Sequence, residues 1–458
     1  MYTEKKNEGN GTNRIIEGTI WKQLLIFFFP ILVGTFFQQL YNTVDAVVVG
    51  RFAGKEALSC VGGSSSQIIN LVVGFFTGMS AGATVIISQF FGAGEKNKLV
   101  RALHTAYAFA ILGGIIAGIA GIIATIPVLK LMNTPAELMK DSALYVRIYF
   151  AGLVFIFVYN MGSAVLRAVG DARRPLYYLI ICCVVNIVLD VVLVCVCSLG
   201  VLGVAVATLL AQFVSAVLVT RALMLHTNSM KLTLSKIRLH KDILPSMLKI
   251  GLPTGIQSSM YSVSNIIVQS ALNSFGVDTM AAWSAFGKID SMFWMINTAF
   301  GISATTFVGQ NFGAGRYDRV KKGTVQCLLM DIAAALLFST FTLITGRYLL
   351  MIFTSETEVI SIGFRMMRII SPAYFIFVFI EIFSGSLRAQ GHVMVTTFMT
   401  MIGVCAFRIA WVLLIVPHGT LEQIVSCYPA TWIVTATGMI IYYIYKQSRI
   451  IKKFTNSY

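Results

Sequence analysis

Charge is what this 458-residue sequence has least of: Lys, Arg, Asp and Glu together make up 12% of it, about half the ~25% of soluble domains. With 57% hydrophobic side chains and a mean hydropathy of +0.80, the chain lies outside the soluble range. Histidine is scarce too, at five residues (104, 226, 240, 392 and 418), mostly near loops. No HExxH or acid–His cluster occurs, which removes support for a metallohydrolase or a His-dependent triad enzyme. The eight cysteines (60, 182, 183, 195, 197, 327, 405 and 427) form no CxxC pair. They are expected to be small buried residues rather than metal ligands or disulfides. No enzyme, cofactor or resident metal is expected.

What is present is long apolar runs. About twenty apolar residues at 1.5 Å rise span the ~30 Å hydrocarbon core of a bilayer. Runs of that kind recur near 23–50, 57–91, 102–129, 143–166, 175–197, 200–225, 244–274, 279–312, 323–353, 359–387, 392–416 and 421–445. The expectation is an all-α, multi-pass protein of the inner (cytoplasmic) membrane with twelve transmembrane helices. Residues 1–20 are polar and of mixed charge, so the first helix is expected to act as its own insertion signal.

The formal charge of +16 could point to nucleic acid, but its distribution argues otherwise. Most basic residues fall in alternate connections: Lys96, Lys98 and Arg101; Arg167, Arg173 and Arg174; Lys231 to Lys249; Arg316 to Lys322; and Lys446 to Lys453. That is the positive-inside bias, which sets topology and places both termini in the cytoplasm. The membrane lipid is then a partner and nucleic acid is not; a monomer is expected.

The sequence also repeats itself. With an offset of 221, which carries residue 83 to 304, Ala83-Thr84 meets Ala304-Thr305, and Gln89-x-Phe91-Gly92-Ala93-Gly94 meets Gln310-x-Phe312-Gly313-Ala314-Gly315. Leu166-Arg167-Ala168-x-Gly170 likewise meets Leu387-Arg388-Ala389-x-Gly391. Six helices separate equivalent points, so both copies face the same way around an axis along the membrane normal. This predicts two pseudo-symmetric six-helix lobes around a central cleft. The expected segments are an N-terminal tail at 1–22, an N-lobe at 23–225, a linker at 226–243, a C-lobe at 244–445 and a basic tail at 446–458. The glycine pairs read as helix C-caps, and Arg167 and Arg388 as side chains snorkelling to the cytoplasmic surface.

Few acids fall inside the runs: Asp45, Asp190, Asp290, Asp331 and Glu381. One charge at the bilayer centre costs ~2.5–3.5 kcal/mol on insertion scales, so such residues are by default functional or paired. In the N-lobe, Gln38, Asn42 and Asp45 share one face of helix 1, and Asn186 and Asp190 share one of helix 5. Helix 4 adds Asn160, Ser163 and Tyr145; helix 6 adds Thr208 and Gln212. No Lys or Arg lies mid-membrane in helices 1, 2, 3, 5 or 6. Two carboxyls without a base need a proton or a small cation such as Na⁺. In the C-lobe, Lys288, Asp290, Glu381 and Arg408 balance two acids with two bases, and Asp331 is placed near the cytoplasmic end of helix 9. Ser258, Ser262, Asn265 and Gln269 stripe helix 7, either as a cavity wall or as ordinary helix contacts. Trp294, with Met292, Phe293 and Met295, could line an adaptable greasy surface or simply fill the core.

The stretch from Pro30 to Gly50, the paired ends of helices 2 and 8, LRAVGDARRP at 166–175 and NIVLD at 186–190 together resemble the MATE multidrug exporters, over essentially the whole chain. The resemblance implies an antiporter that spends an inward H⁺ or Na⁺ gradient to expel amphipathic, often cationic small molecules. It implies an ion site at Asp45, Asn186, Asp190 and Thr208, with Asn160, Tyr145 and Gln38 around it. The substrate cavity is expected to use Gln38, Asn42, Ser163, Ser262, Asn265, Gln269, Trp294 and Glu381. Helix 7 carries no acid, unlike one large branch of the family, so ion coupling is assigned to the N-lobe. The alternative is a lipid-linked saccharide flippase, which should line its cleft with basic residues. A substrate-independent ion conductance would indicate a channel.

Overall fold

A backbone crossing a bilayer must satisfy its own polar groups, so the apolar runs can only be helices. The computed structural model describes residues 14–225, 230–415 and 419–455, and among these there is no strand. The N-terminal tail to residue 13, linker residues 226–229 with His226, His418, and residues 456–458 lie outside the described residues.

Twelve helices of membrane length follow in order. The N-terminal six are α1 (Ile20–Val48), α2 (Ser64–Gly92), α3 (Lys96–Leu131), α4 (Ala136–Ala151 and Leu153–Ala168), α5 (Arg173–Asp190) and α6 (Gly200–Met224). The C-terminal six are α7 (Leu244–Asn273), α8 (Val277–Gly313), α9 (Tyr317–Met351), α10 (Thr357–Ile370 and Tyr374–Ala389), α11 (Val393–Thr400 and Phe407–Ile415) and α12 (Cys427–Thr455). Nine of the described helical spans are long and apolar enough to cross a membrane, and the two segments of α4, bent by 45°, make a tenth. The other two are α7 and α8. Their apolarity is diluted by the serines of α7 and by Asp278, Lys288 and Asp290 of α8.

The repeat is visible in the breaks. α4 bends at Gly152, and α10 is interrupted by a single 3₁₀ turn at Ser371–Ala373, one repeat further on. The paired glycines do cap helices. Gly94 and Gly315 hold φ of +70° and +69°, and Glu95 N–H donates to the Phe90 carbonyl as Arg316 N–H does to Asn311. These are Schellman turns, which the left-handed conformation requires and glycine supplies.

Two apolar cores form, and they cross over at one end of the molecule. Most of the C-terminal core comes from α8 to α12, yet Leu24, Phe27, Phe28 and Ile31 of α1 belong to it; Phe28 stacks on Phe300 at 4.0 Å. Conversely Met247 and Ile250 of α7 join the N-terminal core. A Cβ on Gly82 would lie 2.3 Å from the Met247 carbonyl oxygen, and one on Gly251 2.7 Å from that of Met79. The backbones of α2 and α7 therefore touch, as small residues permit. At the ends of α2 and α8 the approach is reciprocal: a Cβ on Gly92 would fall 2.0 Å from the Gln310 carbonyl oxygen, and one on Gly313 2.0 Å from that of Gln89. Gln89 also donates to the Ala389 carbonyl and Gln310 to that of Ala168, both at 2.7 Å. The two halves are thus clamped together at the end that carries the basic connections. The connection into α7 is pinned there too. Thr233 N–H donates to His104 Nε2 at 3.1 Å, and Arg101 pairs with Asp242 at 2.6 Å.

Candidate functional site

The five acids end up in four different settings. Asp45, on the last turns of α1, and Asp190, at the end of α5, are 7% and 0% exposed, and their carboxyl groups face each other closely enough to share a proton. Asp45 Oδ1 and both oxygens of Asp190 have no donor among the described residues. Asn186, one turn back on α5, is fully buried with its amide unpartnered, and Tyr145 and Thr208 are buried beside the pair. Tyr41 completes the group: its hydroxyl donates to Thr208 Oγ1 at 3.4 Å and lies against Asp45. It sits one turn before Asp45, and the i, i+4 spacing that picked out Asn186 would have found it too. Both acids are followed by π-helical turns, Val49–Ala53 and Val191–Val196, which lie against each other. Such turns are frequent at functional sites.

Asp290 is different. Tyr374 donates to its Oδ1, and Trp294 Nε1 donates to Oδ2 at 2.7 Å. This carboxylate is held by two neutral donors of the C-terminal core, where Phe293 stacks on Tyr374 at 3.9 Å. Among the described residues it makes no ion pair within 4 Å, and Lys288 lies on the exposed face of α8. The expected charge balance between two acids and two bases is therefore not made through contacts among the described residues.

Asp331 was expected near the end of its helix. It lies fourteen residues into the 35-residue α9, roughly 21 Å along the axis at 1.5 Å per residue. It is fully buried with both carboxyl oxygens unpartnered among the described residues, and the Glu381 charge acts on it.

Between the lobes lies a cavity of about 630 Å³, within the 300–1,000 Å³ range of small-molecule sites. α2 contributes Thr77 to Thr84 to it and α4 contributes Asn160 and Arg167, but most of the wall is C-terminal. α7 presents Ser258, Tyr261, Asn265 and Gln269, so the stripe advances by three and four residues and leaves Ser262 one position off it, its hydroxyl on the Ser258 carbonyl. Trp294 and Glu381 line the cavity as well. Asn160 stands on this wall, its amide on the Ile156 carbonyl, apart from the Asp45–Asp190 pair. Gln38 and Asn42 lie on the exposed face of α1, and Ser163 is buried at 1% exposure; none of the three lines the cavity. Of the greasy set, Trp294 alone lines it; Phe293 is core and Met292 is exposed.

Arg167 and Arg388 correct an expectation. Rather than reaching the surface, both line the cavity, with their Nε atoms buried and unpartnered. A third guanidinium, Arg408 on α11, is 2% exposed; it donates to Asn265 Oδ1 at 3.0 Å and lies 4.2 Å from the Tyr428 ring centre. Six of the eight cysteines are buried, whereas Cys195 is half-buried and Cys197 exposed, against the expectation for those two.

Two like-oriented six-helix lobes, closed at one end over a central cavity, define a multi-pass membrane transporter architecture. The MatE family model matches residues 30–192 and 253–413, one match in each lobe, and the chain belongs to that family. It is 27% identical over 465 residues to the probable multidrug resistance protein YoeA of Bacillus subtilis, covering 98% of this chain and 99% of that protein. It is 27% identical over 408 residues to the probable multidrug resistance protein NorM of Thermotoga maritima, covering 85% and 84%. The fold matches a multidrug resistance MATE family transporter of the MOP superfamily in its outward-facing conformation, with a TM-score of 0.90, 19% identity, and coverage of 97% of this chain and 100% of the other.

Proposed function

We propose that this protein is a secondary antiporter that exports amphipathic small molecules in exchange for H⁺ or Na⁺ bound between Asp45 and Asp190. The observation that carries the reading is the pair itself: two carboxyls buried against each other, with no base and no donor for three of their four oxygens. Such a pair holds at most one negative charge comfortably, so it takes up a proton or a small cation. Asn186, Tyr41 and Thr208 supply neutral oxygens beside it. The multidrug resistance names of the relatives agree with a drug-sized substrate.

The coupling element is α1. Its first half is packed into the C-terminal core through Phe27, Phe28 and Ile31, while its last turns carry Asp45 to α5. Pro30 lies within the packed part, one residue before Ile31, and leaves the helix one hydrogen bond short. Charging or neutralising Asp45 changes the packing of α1 at one end and its grip on the other lobe at the other. The basic end is the cytoplasmic one, so the clamped state faces outward. Ion and substrate must bind the two states differently for the exchange to run. One cation crossing 100 mV supplies ~2.3 kcal/mol, worth roughly fifty-fold accumulation of substrate.

The test is ethidium efflux into everted vesicles, with a pH or a sodium gradient imposed one at a time. An Asp45→Asn variant is expected to lose gradient-driven efflux, and undiminished transport by it would overturn the assignment.

A further inference from the structure

The cavity wall contains more positive than negative groups, and they are not paired with each other. Arg167, Arg388 and Arg408 line it against Asp290 and Glu381. Asp290 is already held by Tyr374 and Trp294. No ion pair within 4 Å joins any of these five among the described residues. Glu381 stands two turns before Arg388 on α10 and offsets that charge in part. Among the described residues Arg167 and Arg408 make no ion pair within 4 Å. Arg408 is nine-tenths buried and more, its Nε without a partner, and it is fixed in place by Asn265 and by the face of Tyr428. A guanidinium out of water and without a counter-charge is unfavourable, and its planar fork suits a carboxylate or phosphate.

The other two arginines are related by the internal repeat. They project from the last turns of α4 and α10, one from each lobe, at the clamped end of the cavity. Trp283 and Trp294, both half-buried, give the same cavity apolar faces.

Building on the antiport reading above, we infer that this cavity contains an anion subsite, so that its substrates carry a carboxylate or phosphate on an aromatic or alkyl body rather than a positive charge alone. The anionic group lies against Arg408 or between Arg167 and Arg388, and the body lies on the indole faces. A free organic anion and a polyprenyl phosphate offer the same group, and the experiment separates them. A ligand that bridges Arg167 and Arg388 holds the two lobes together at that end, and so favours the clamped state.

The experiment uses the full chain purified in detergent and reads binding by fluorescence anisotropy of carboxyfluorescein and of ethidium, aromatic dyes of opposite charge. Carboxyfluorescein is expected to bind, and to weaken by at least about tenfold in Arg408→Gln and in the double variant Arg167→Gln/Arg388→Gln, as loss of a charge-assisted hydrogen bond implies. Ethidium is expected to bind more tightly to both, because like charge has been removed. Arg408→Lys keeps the charge and is expected to restore part of the carboxyfluorescein affinity, which guards against misfolding of the glutamine variant. Displacement of the dye by phenyl phosphate supports a soluble anion as the substrate; displacement by polyprenyl phosphate alone supports a lipid-linked one. Carboxyfluorescein affinity that is absent from the parent, or indifferent to all the substitutions, overturns the inference. Because binding needs no gradient, its result is separable from the vesicle assay: an exporter of ethidium driven by ions but blind to the arginines keeps the antiport reading and loses this one.

Discussion

The two lobes are copies in backbone and unlike in chemistry. In the N-terminal lobe the two buried acids face each other and lack donors; in the C-terminal lobe Asp290 is given two donors at the cavity wall, and Asp331 is buried in α9 away from any facing carboxyl partner, both its oxygens unpartnered among the described residues. The N-terminal pair is sealed inside its own bundle, away from the central cavity, whereas the C-terminal lobe provides most of the cavity wall. Duplication preserved what closes the molecule, the glycine and glutamine contacts at the clamped end, and let the interiors diverge. A carboxyl with its hydrogen bonds made is a structural part; a facing pair without them is poised to change its charge.

The sharpest way to break this comparison is to neutralise acids one lobe at a time. Asp45→Asn and Asp190→Asn are expected to abolish ion-driven ethidium efflux, while Asp290→Asn leaves it within a few-fold of the parent. Equal loss from Asp290→Asn would mean that the two lobes share the ion work.

A second contrast replaces tyrosines. Tyr374→Phe strands one oxygen of Asp290 and is expected to lower stability by about 1–3 kcal/mol, read as a fall in the thermal unfolding midpoint. Tyr41→Phe removes a hydroxyl from beside Asp45 and Thr208. It is expected to change the ion dependence of efflux with little change in midpoint. The reverse pattern would exchange the roles assigned to the lobes.

The clamped end should instead respond alike in both halves. Gly92→Ala and Gly313→Ala each push a methyl to 2.0 Å from a backbone carbonyl oxygen, where overpacking costs about 1–3 kcal/mol. Each is expected to loosen this end, seen as faster thiol labelling of a cysteine introduced at Ala168 or Ala389, both buried in the parent. A marked difference between the two variants would show that the closure is not symmetric.

Much of this was legible in the residues. Apolar run length determined the helices, and the repeat determined the paired lobes and the glycine caps. Burial of charge in the N-terminal half singled out Asp45, Asn186, Asp190 and Thr208 before any contact was visible. What escaped was everything that depends on how helices rotate against one another. Tyr41 was overlooked because a tyrosine in an apolar helix is unremarkable until an acid is found beside it. Arg167 and Arg388, near helix ends, looked free to reach water, but the crossing of α2 over α8 closes that route and turns them into the cavity. Asn160 and Ser163 are three residues apart on α4, and only the packing decides that one faces the cavity and the other the core. Asp331 was misplaced because α9 begins in the basic segment, six residues before its apolar run.

The smallest effect tests the repeat most directly. Gln89 on α2 and Gln310 on α8 each donate at 2.7 Å to the carbonyl of an alanine at the end of a helix in the other lobe, Ala389 and Ala168. An intramolecular hydrogen bond contributes about 0.5–1.5 kcal/mol net, so Gln89→Leu and Gln310→Leu should each lower the free energy of clamping by an amount of that order. Gln89 is half-buried and Gln310 fully buried, so the second variant is expected to lose more, because the carbonyl it abandons is less able to find water. The two bonds go to different carbonyls, and if the sites act independently their effects add to within about 0.5 kcal/mol in the double variant. Thiol labelling at the clamped end gives the comparison. Strong coupling between the two would instead make the clamp one cooperative contact, formed or broken as a whole when the lobes exchange states.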